Sequence, residues 1–493
     1  MRYKLIALLL CITVIIVSSL AYLLVYDIPQ DRYHQHIEES DRAETFYDRY
    51  DFSTHLPLVH IDTDGVEIPG AGTDSGEYTV ANDGSDRISA SITIFDGYDY
   101  ESNNGSQKQK LETQEYFSKI EIHVRGRSSR FFDKHGYALR FVTDTGENNP
   151  MSVMGMDSHH EWVLHGPFLD KTLIRNYMWY NIAGEVMDYA PNVRFCEVII
   201  NDEYVGLYVM VENITAGSTK GRLNLTVDKK SASFSGYLLR LDTGSDTLVK
   251  NIEPFSAYTF RAKTDFDIVY PGKSNLTPEL NRAITKDFST FEKALYSYDF
   301  DNKKFGYKKL IDVDNFVDYF LINELTCNYD AGYLSTYIYR GMDDKFHMSI
   351  WDFNSACDNY RETVCDPHIF AMQDNVWFFM LMKDEDFTDR VISRYRRLRA
   401  AFFADEYLEK YIDETVEFLG DAIGRNYEKW GYSFGQEYDL LIPTERNPRT
   451  FEDSIESMKS FLRERTAWMD LNIESVKQYS ARSYVKKFNE VAN

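Results

Sequence analysis

Asp330 and Asp352 bracket a short ribbon of chain with the composition of a β-hairpin. Runs at 333–340 and 346–353 are rich in Tyr, Ile and Phe, and Gly-Met-Asp-Asp joins them. A hairpin returns the chain close to where it began, so both carboxylates are expected at one mouth. Carboxylates held face to face repel unless one keeps its proton or a cation lies between them. A hard divalent ion with oxygen ligands is the common resolution, and such an ion usually also holds a substrate phosphate. The plainer reading of the same two residues is a turn cap at Asp330 and a solvated strand end at Asp352. A second chemical feature lies upstream. Arg125, Arg127, Arg130, Lys134 and Arg140, with Gly126, Ser128 and Ser129 among them, form the densest basic island of a chain whose net charge is −24. Arginine forks bind phosphate oxygens in pairs, and a glycine lets backbone N–H groups approach. A surface turn paired to neighbouring acids explains the island equally well.

The elements that must position these groups are legible in the periodicity. Phe316, Phe320, Leu321 and Leu325 recur at helical spacing and predict an amphipathic helix that runs out near Cys327 into the polar loop 328–330. Asp170 reads as the N-cap of a helix over 171–187. Strands are expected at 56–62, 88–95, 117–124, 136–142 and from Glu161. The clearest hairpin is 195–200 with 204–211 around the turn Asn201-Asp202-Glu203, and it runs directly into Glu212 and Asn213. Runs at 236–242 and 257–263 are expected to extend that sheet. Helices are expected over 271–302, starting near Thr277-Pro278, and over 376–399, 405–430 and 451–475. The basic end of the second of these, RYRRLR, reads as a complement to the helix dipole, with an acidic partner surface as the alternative.

The run WDFNSACDN, the preceding NELTCNYD, and RGRSSR followed by KHGYALRF resemble the spore-coat protein H (CotH) kinase family, in the family's order, over roughly residues 55–475. The resemblance implies an α+β, bilobed, atypical protein-kinase-like fold, with a small mainly antiparallel β lobe and a larger helical lobe. It implies a secreted or surface enzyme that uses ATP and Mg²⁺ or Mn²⁺. Asp330 would be the catalytic aspartate and Asp352 the metal-binding one. Asn354 stands where the family usually has a second aspartate and would be a weaker, uncharged ligand; Cys357-Asp358 replaces Phe-Gly. Arg125, Arg127, Ser128, Lys134 and Arg140 would contact the nucleotide, with Arg127 and Arg140 replacing a common Asn and Lys. Arg175 and Asn176 match a family run, on a helix that would orient the phosphate-binding cation. Glu212 would sit where the chain crosses between lobes, beside adenine.

Composition and the N-terminus set the wider frame. Residues 5–26 are uncharged, long enough to span a bilayer, with Arg2 and Lys4 before them and Asp27, Asp31 and Glu38 after. This predicts a transmembrane signal anchor with a cytoplasmic tip at 1–4 and the bulk of the chain outside. The remaining division is a polar stalk at 27–55 carrying solvated His34 and His36, a nucleotide-binding lobe at 56–213, a catalytic lobe at 214–475 and a tail at 476–493. The acidic balance argues against nucleic acid as a partner. Five cysteines are too few for a disulfide scaffold, although outside the cell Cys357 could pair with Cys365 and Cys196 with Cys327. The resulting expectation is a membrane-anchored kinase acting on a protein hydroxyl at the cell surface. Two rivals stand beside it. One is a pseudokinase serving surface assembly or adhesion, permitted by Asn354; the other is a carbohydrate-binding or processing domain, suggested by 36 tyrosines in an acidic chain.

Overall fold

The computed structural model describes residues 32–98, 100, 114–219, 221–242 and 265–480, so the anchor expected at 5–26 lies outside the described residues. After a short helix α1 (Gln35–Glu38) and a small hairpin, β1 (Thr45–Tyr47) with β2 (Phe52–Thr54), comes the first large body. Its strands are β3 (Leu58–Asp62), β4 (Ile88–Asp96), β5 (Gln114–Arg125), β6 (Gly136–Val142), β9 (Glu161–His165), β10 (Val193–Ile200) and β11 (Glu203–Glu212); β7 (Met151–Val153) and β8 (Met156–His159) form a separate ribbon. The seven strands close into a barrel in the order β10-β11-β9-β6-β5-β4-β3. All pairs are antiparallel except β10 with β3. Period-two alternation explains why β11 is apolar on nearly every residue. Tyr208 and Met210 point into the barrel core, whereas Leu207, Val209 and Val211 point outward into a second core.

That second core belongs to a four-stranded antiparallel sheet and the helices around it. After α2 (Arg175–Val186) and a small ribbon, β12 (Val227–Asp228) with β13 (Ser233–Phe234), the sheet is built from β14 (Tyr237–Asp242), β15 (Asp265–Tyr270), β16 (Thr336–Arg340) and β17 (Phe346–Ser349), in the order β15-β14-β16-β17. The expected hairpin is β16–β17. The run at 236–242 extends this sheet and not the barrel, and the run at 257–263 lies outside the described residues. The helices are α3 (Pro278–Leu295), α4 (Val313–Thr326), α5 (Phe378–Leu381), α6 (Glu385–Arg399), α7 (Asp405–Leu419), α8 (Asp421–Trp430) and α9 (Phe451–Asn472). Caps decide their limits. Thr277 accepts from the Leu280 N–H, Asp384 interrupts the expected 376–399 helix by capping α6, Gly420 at φ 45° splits 405–430, and Thr450 with Asp453 forms a capping box.

Two expectations are corrected. Residues 32–36 of the expected stalk at 27–55 are not solvated. The Arg32 guanidinium donates to the carbonyls of Tyr180, Ala190 and Pro191, Gln35 pairs with both backbone groups of Phe195, and His34 and His36 are buried against Glu185 and Tyr177. Hydrophilic composition misled because these side chains satisfy buried backbone groups of the core. The basic end of α6 does place Arg396, Arg397 and Arg399 in the last turn, and its arginines also meet acids of other elements. Arg394 pairs with Asp318, Arg396 with Glu474, and Arg399 with Asp405 and Asp470. Finally, α4 is buried from Asn315 to Thr326 on every face, because β17, α5, α6 and α9 surround it. Among the described residues no helix is long and apolar enough to cross a membrane.

Candidate active site

The C-terminal ends of β14 and β17 and the start of β16 meet at one end of the four-stranded sheet, because Leu241 pairs with Thr336 and Tyr337 with Ser349. Three half-buried aspartates therefore gather there: Asp242 at the end of β14, Asp330 before β16 and Asp352 after β17. The loop bearing Asp330 is set by the end of α4. Cys327 takes the left-handed conformation at φ 44°, and the Asn328 N–H donates back to the Asn323 carbonyl, a turn that reverses the chain. The Asn328 amide then donates to Asn323 Oδ1 at 3.0 Å and to the Asp352 carbonyl at 3.1 Å, tying the two acid-bearing loops together. Tyr329 is exposed and stacks on Tyr360 at 4.0 Å, at the rim.

Asp330 accepts a hydrogen bond from the Ser355 hydroxyl at 3.2 Å. Burial, then the negative charge of Asp352, push its carboxyl up to about 7, with the Ser355 bond opposing them. Asp352 is itself raised, chiefly by burial and further by Asp242, while Arg125 opposes the rise. The Asp352 charge raises Asp330, whereas at Asp352 the Arg125 charge works against the rise. Asp352 also stands at φ 56°, a costly backbone conformation for an aspartate. It is held there by three bonds: its N–H to the Tyr180 hydroxyl at 3.1 Å, its carbonyl from Asn328, and its Oδ1 from the Asn354 N–H at 3.1 Å.

The helix α2 supplies the platform beneath this loop. Asp170 does not cap the helix directly; the helix starts at Arg175, and the Asp170 carboxylate reaches forward to the Arg175 N–H and guanidinium and to Thr172. Arg175, buried, donates on to the carbonyls of Ala356 and Cys357, so it fixes the chain just past Asn354. Asn176 Oδ1 accepts from the Phe353 N–H at 2.7 Å, and its amide donates to Asn354 Oδ1 at 3.3 Å and contacts His165 Nε2 at 2.9 Å. Burial and the Arg125 charge push His165 down to about 3, so it is neutral and accepts that bond.

Of the residues expected to hold a nucleotide, Arg125 reaches the acid cluster: its guanidinium lies 5.4 Å from the Trp351 ring centroid and its charge is felt by Asp352, His165 and Tyr180. Arg127 and Ser128 are exposed on the turn that follows. Arg175 acts through the backbone as described. Lys134 lies one layer back; it is buried, with Nζ donating to the Leu207 carbonyl and Asn426 Oδ1 at 2.7 Å each, and desolvation holds its ammonium well below the usual range. Arg140 is taken up by Glu121 and Asn148, and the Glu212 carboxylate by Arg222 at 3.0 Å and by Asn192. Sequence reasoning missed Asp242, His165, Ser355 and Asn328. Asn328 and Ser355 lie inside the quoted motifs without a role of their own, and Asp242 shows only as a strand-terminal acid, which means nothing until β14 is known to pair with β16.

Among the described residues, two groups offer three ligand atoms within 4.8 Å of one another, His159–His160–Glu161 and Asp312–Asp343–His347. The site aspartates are not among them. Asp242, Asp330 and Asp352 thus form a more open set than a closed ion cage.

A closed barrel joined to a sheet-and-helix body, with an acid cluster at the sheet's end and an arginine from the barrel opposite it, defines a mixed α/β protein with a polar site fed by both bodies. Residues 122–469 match the family described as CotH kinase protein, and the chain belongs to that family. It is 22% identical over 305 residues to inner spore coat protein H of Bacillus subtilis (strain 168), a match covering 60% of this chain and 76% of that protein.

Proposed function

We propose that the chain is a kinase-like phosphotransferase, bilobed in use, that binds ATP and a divalent cation between the barrel and the acid cluster. The observation that carries this reading is the mutual charge of Asp330, Asp352 and Asp242 facing Arg125. The donor set suits a hard cation: carboxylates, the Asn354 amide oxygen, and the buried Asn328 Oδ1, which has no hydrogen-bond partner among the described residues. Bound there, Mg²⁺ or Mn²⁺ would be held by Asp352 and Asn354, with Asp242 near, and would neutralise the charge of carboxylates and phosphate together. Arg125, Arg127 and Ser128 would bind phosphate oxygens from the barrel side. Asp330 would take the proton of the acceptor hydroxyl as that oxygen attacks the γ-phosphorus and ADP departs. A carboxyl pushed up to about 7 suits a base working near neutrality, and Ser355 fixes its orientation.

A serving place at a surface or coat follows from two supports, the uncharged stretch at 5–26 and the relative named as a spore coat protein. The acceptor is a protein hydroxyl in this reading. A catalytically impaired binding module is the second reading, favoured by Asn354, whose amide oxygen already accepts from Asn176. The experiment is ATP binding by calorimetry with and without Mn²⁺, on the full chain and on Asp352→Ala. Cation-dependent binding in the parent and its loss in the variant are expected; equal binding by both rules the site out. Labelled phosphate incorporation then separates an active kinase from a nucleotide-binding module.

A further inference from the structure

We propose that Cys327 and Cys365 form an oxidation-sensitive thiol pair, whose disulfide staples the loop carrying Asp330 to the segment that leads away from Asp352. This corrects the pairings expected from sequence. Cys196 lies inside the barrel core and Cys327 in the helical core, so those two do not meet. All four described cysteines are free thiols. The Cys365 thiol donates to the Cys327 carbonyl at 3.8 Å, which sets the Cys365 sulfur against the backbone of Cys327.

The segment 357–365 is already laid along the end of α4. The Cys357 N–H donates to the Thr326 carbonyl at 2.7 Å, the Cys365 N–H donates to Asp358 Oδ1 at 2.7 Å, and Asp358 is anchored by Arg446 at 2.7 Å. Closure to a bond of about 2.05 Å would therefore join two segments that already lie side by side. Cys327 is the left-handed residue that turns the chain toward Asp330, so the staple falls at the root of that loop. No three-ligand group among the described residues includes these thiols, which favours a covalent crosslink over an ion site.

The order of events follows from exposure. Cys327 is 1% exposed, whereas Cys365 is half-buried and can be reached from solvent. The Cys365 thiolate attacks one sulfur of a small disulfide such as oxidised glutathione, forming a mixed disulfide and releasing one glutathione thiolate. Cys327 then attacks the Cys365 sulfur and expels the second. Two protein thiols are oxidised, one small disulfide is reduced, and the two thiol protons end on the two glutathiones. The neighbouring Cys365 thiol and burial both hold the Cys327 thiol well above its ordinary range, consistent with reaction beginning at Cys365.

The test uses the full chain under native conditions, without nucleotide. The protein is treated with oxidised glutathione, quenched in acid, alkylated, and digested for mass spectrometry without reduction. The expected result is a linked peptide pair containing Cys327 and Cys365, and a fall of two in free thiols, from five to three. Oxidation is also expected to raise the melting temperature of the parent but not of Cys365→Ser. Five alkylated thiols after treatment, a bond joining Cys357 to either partner, or a rise that persists in Cys365→Ser would each overturn the proposal.

Discussion

Asp330 makes a prediction about stability that needs no substrate. Its carboxyl sits at about 7 in the folded protein, raised by burial and by Asp352, against an ordinary 3.8. Between these two pH values the folded state holds a proton that the unfolded chain has lost. The folded state therefore binds more protons, and unfolding free energy falls as pH rises from about 4 to about 7. At about 1.4 kcal/mol per tenfold change in proton affinity, the full gap is worth about 4 kcal/mol, and solvent screening at this half-buried group reduces it to about 2 kcal/mol. Asp330→Asn removes the ionisable group while its amide oxygen can still accept from Ser355. The variant should match the parent below about pH 4 and exceed it by about 2 kcal/mol at pH 8. Urea unfolding of both proteins at several pH values measures this directly. Adding Mn²⁺ at pH 8 should narrow the gap by stabilising the parent. Curves for parent and variant that run parallel from pH 5 to pH 8 would show that no strained carboxyl exists there, and the cation argument would fall with it.

Two further outcomes follow from the scaffold. Glu324 and Arg465 form a fully buried pair in which Glu324 also accepts from the Ala371 and Met372 N–H groups and Arg465 from its side donates to the Pro367 and Ile369 carbonyls. Arg465→Met should cost about 3–5 kcal/mol in chemical unfolding, because it strands a buried carboxylate; a cost below 1 kcal/mol would refute the pairing. Asn176→Ala removes the bonds to Phe353, Asn354 and His165 and should cost about 1–3 kcal/mol in stability. Calorimetry should also show weaker Mn²⁺ binding in that variant, and unchanged affinity would show that α2 does not position the loop.

The sequence by itself determined the local pieces. Helical spacing marked α4, aromatic runs around Gly-Met-Asp-Asp marked the β16–β17 hairpin, and the motif around Asp330 and Asp352 marked the family. These signals are legible because they depend on neighbours in the chain: hydrogen bonds four residues apart, alternate faces of a strand, a turn of a few residues. Tertiary structure decided everything that depends on distant pairing. It closed the barrel, set β14 beside β16 and so delivered Asp242, buried His34, Gln35 and His36 and brought Cys365 to Cys327. It also sorted the basic island. Arg125 went to the acid cluster, while Lys134 and Arg140 went to partners that lie far off in sequence or across a strand pair. A charge or a thiol has no fixed meaning along the chain, because its energy is set by whatever the fold places within a few ångströms of it.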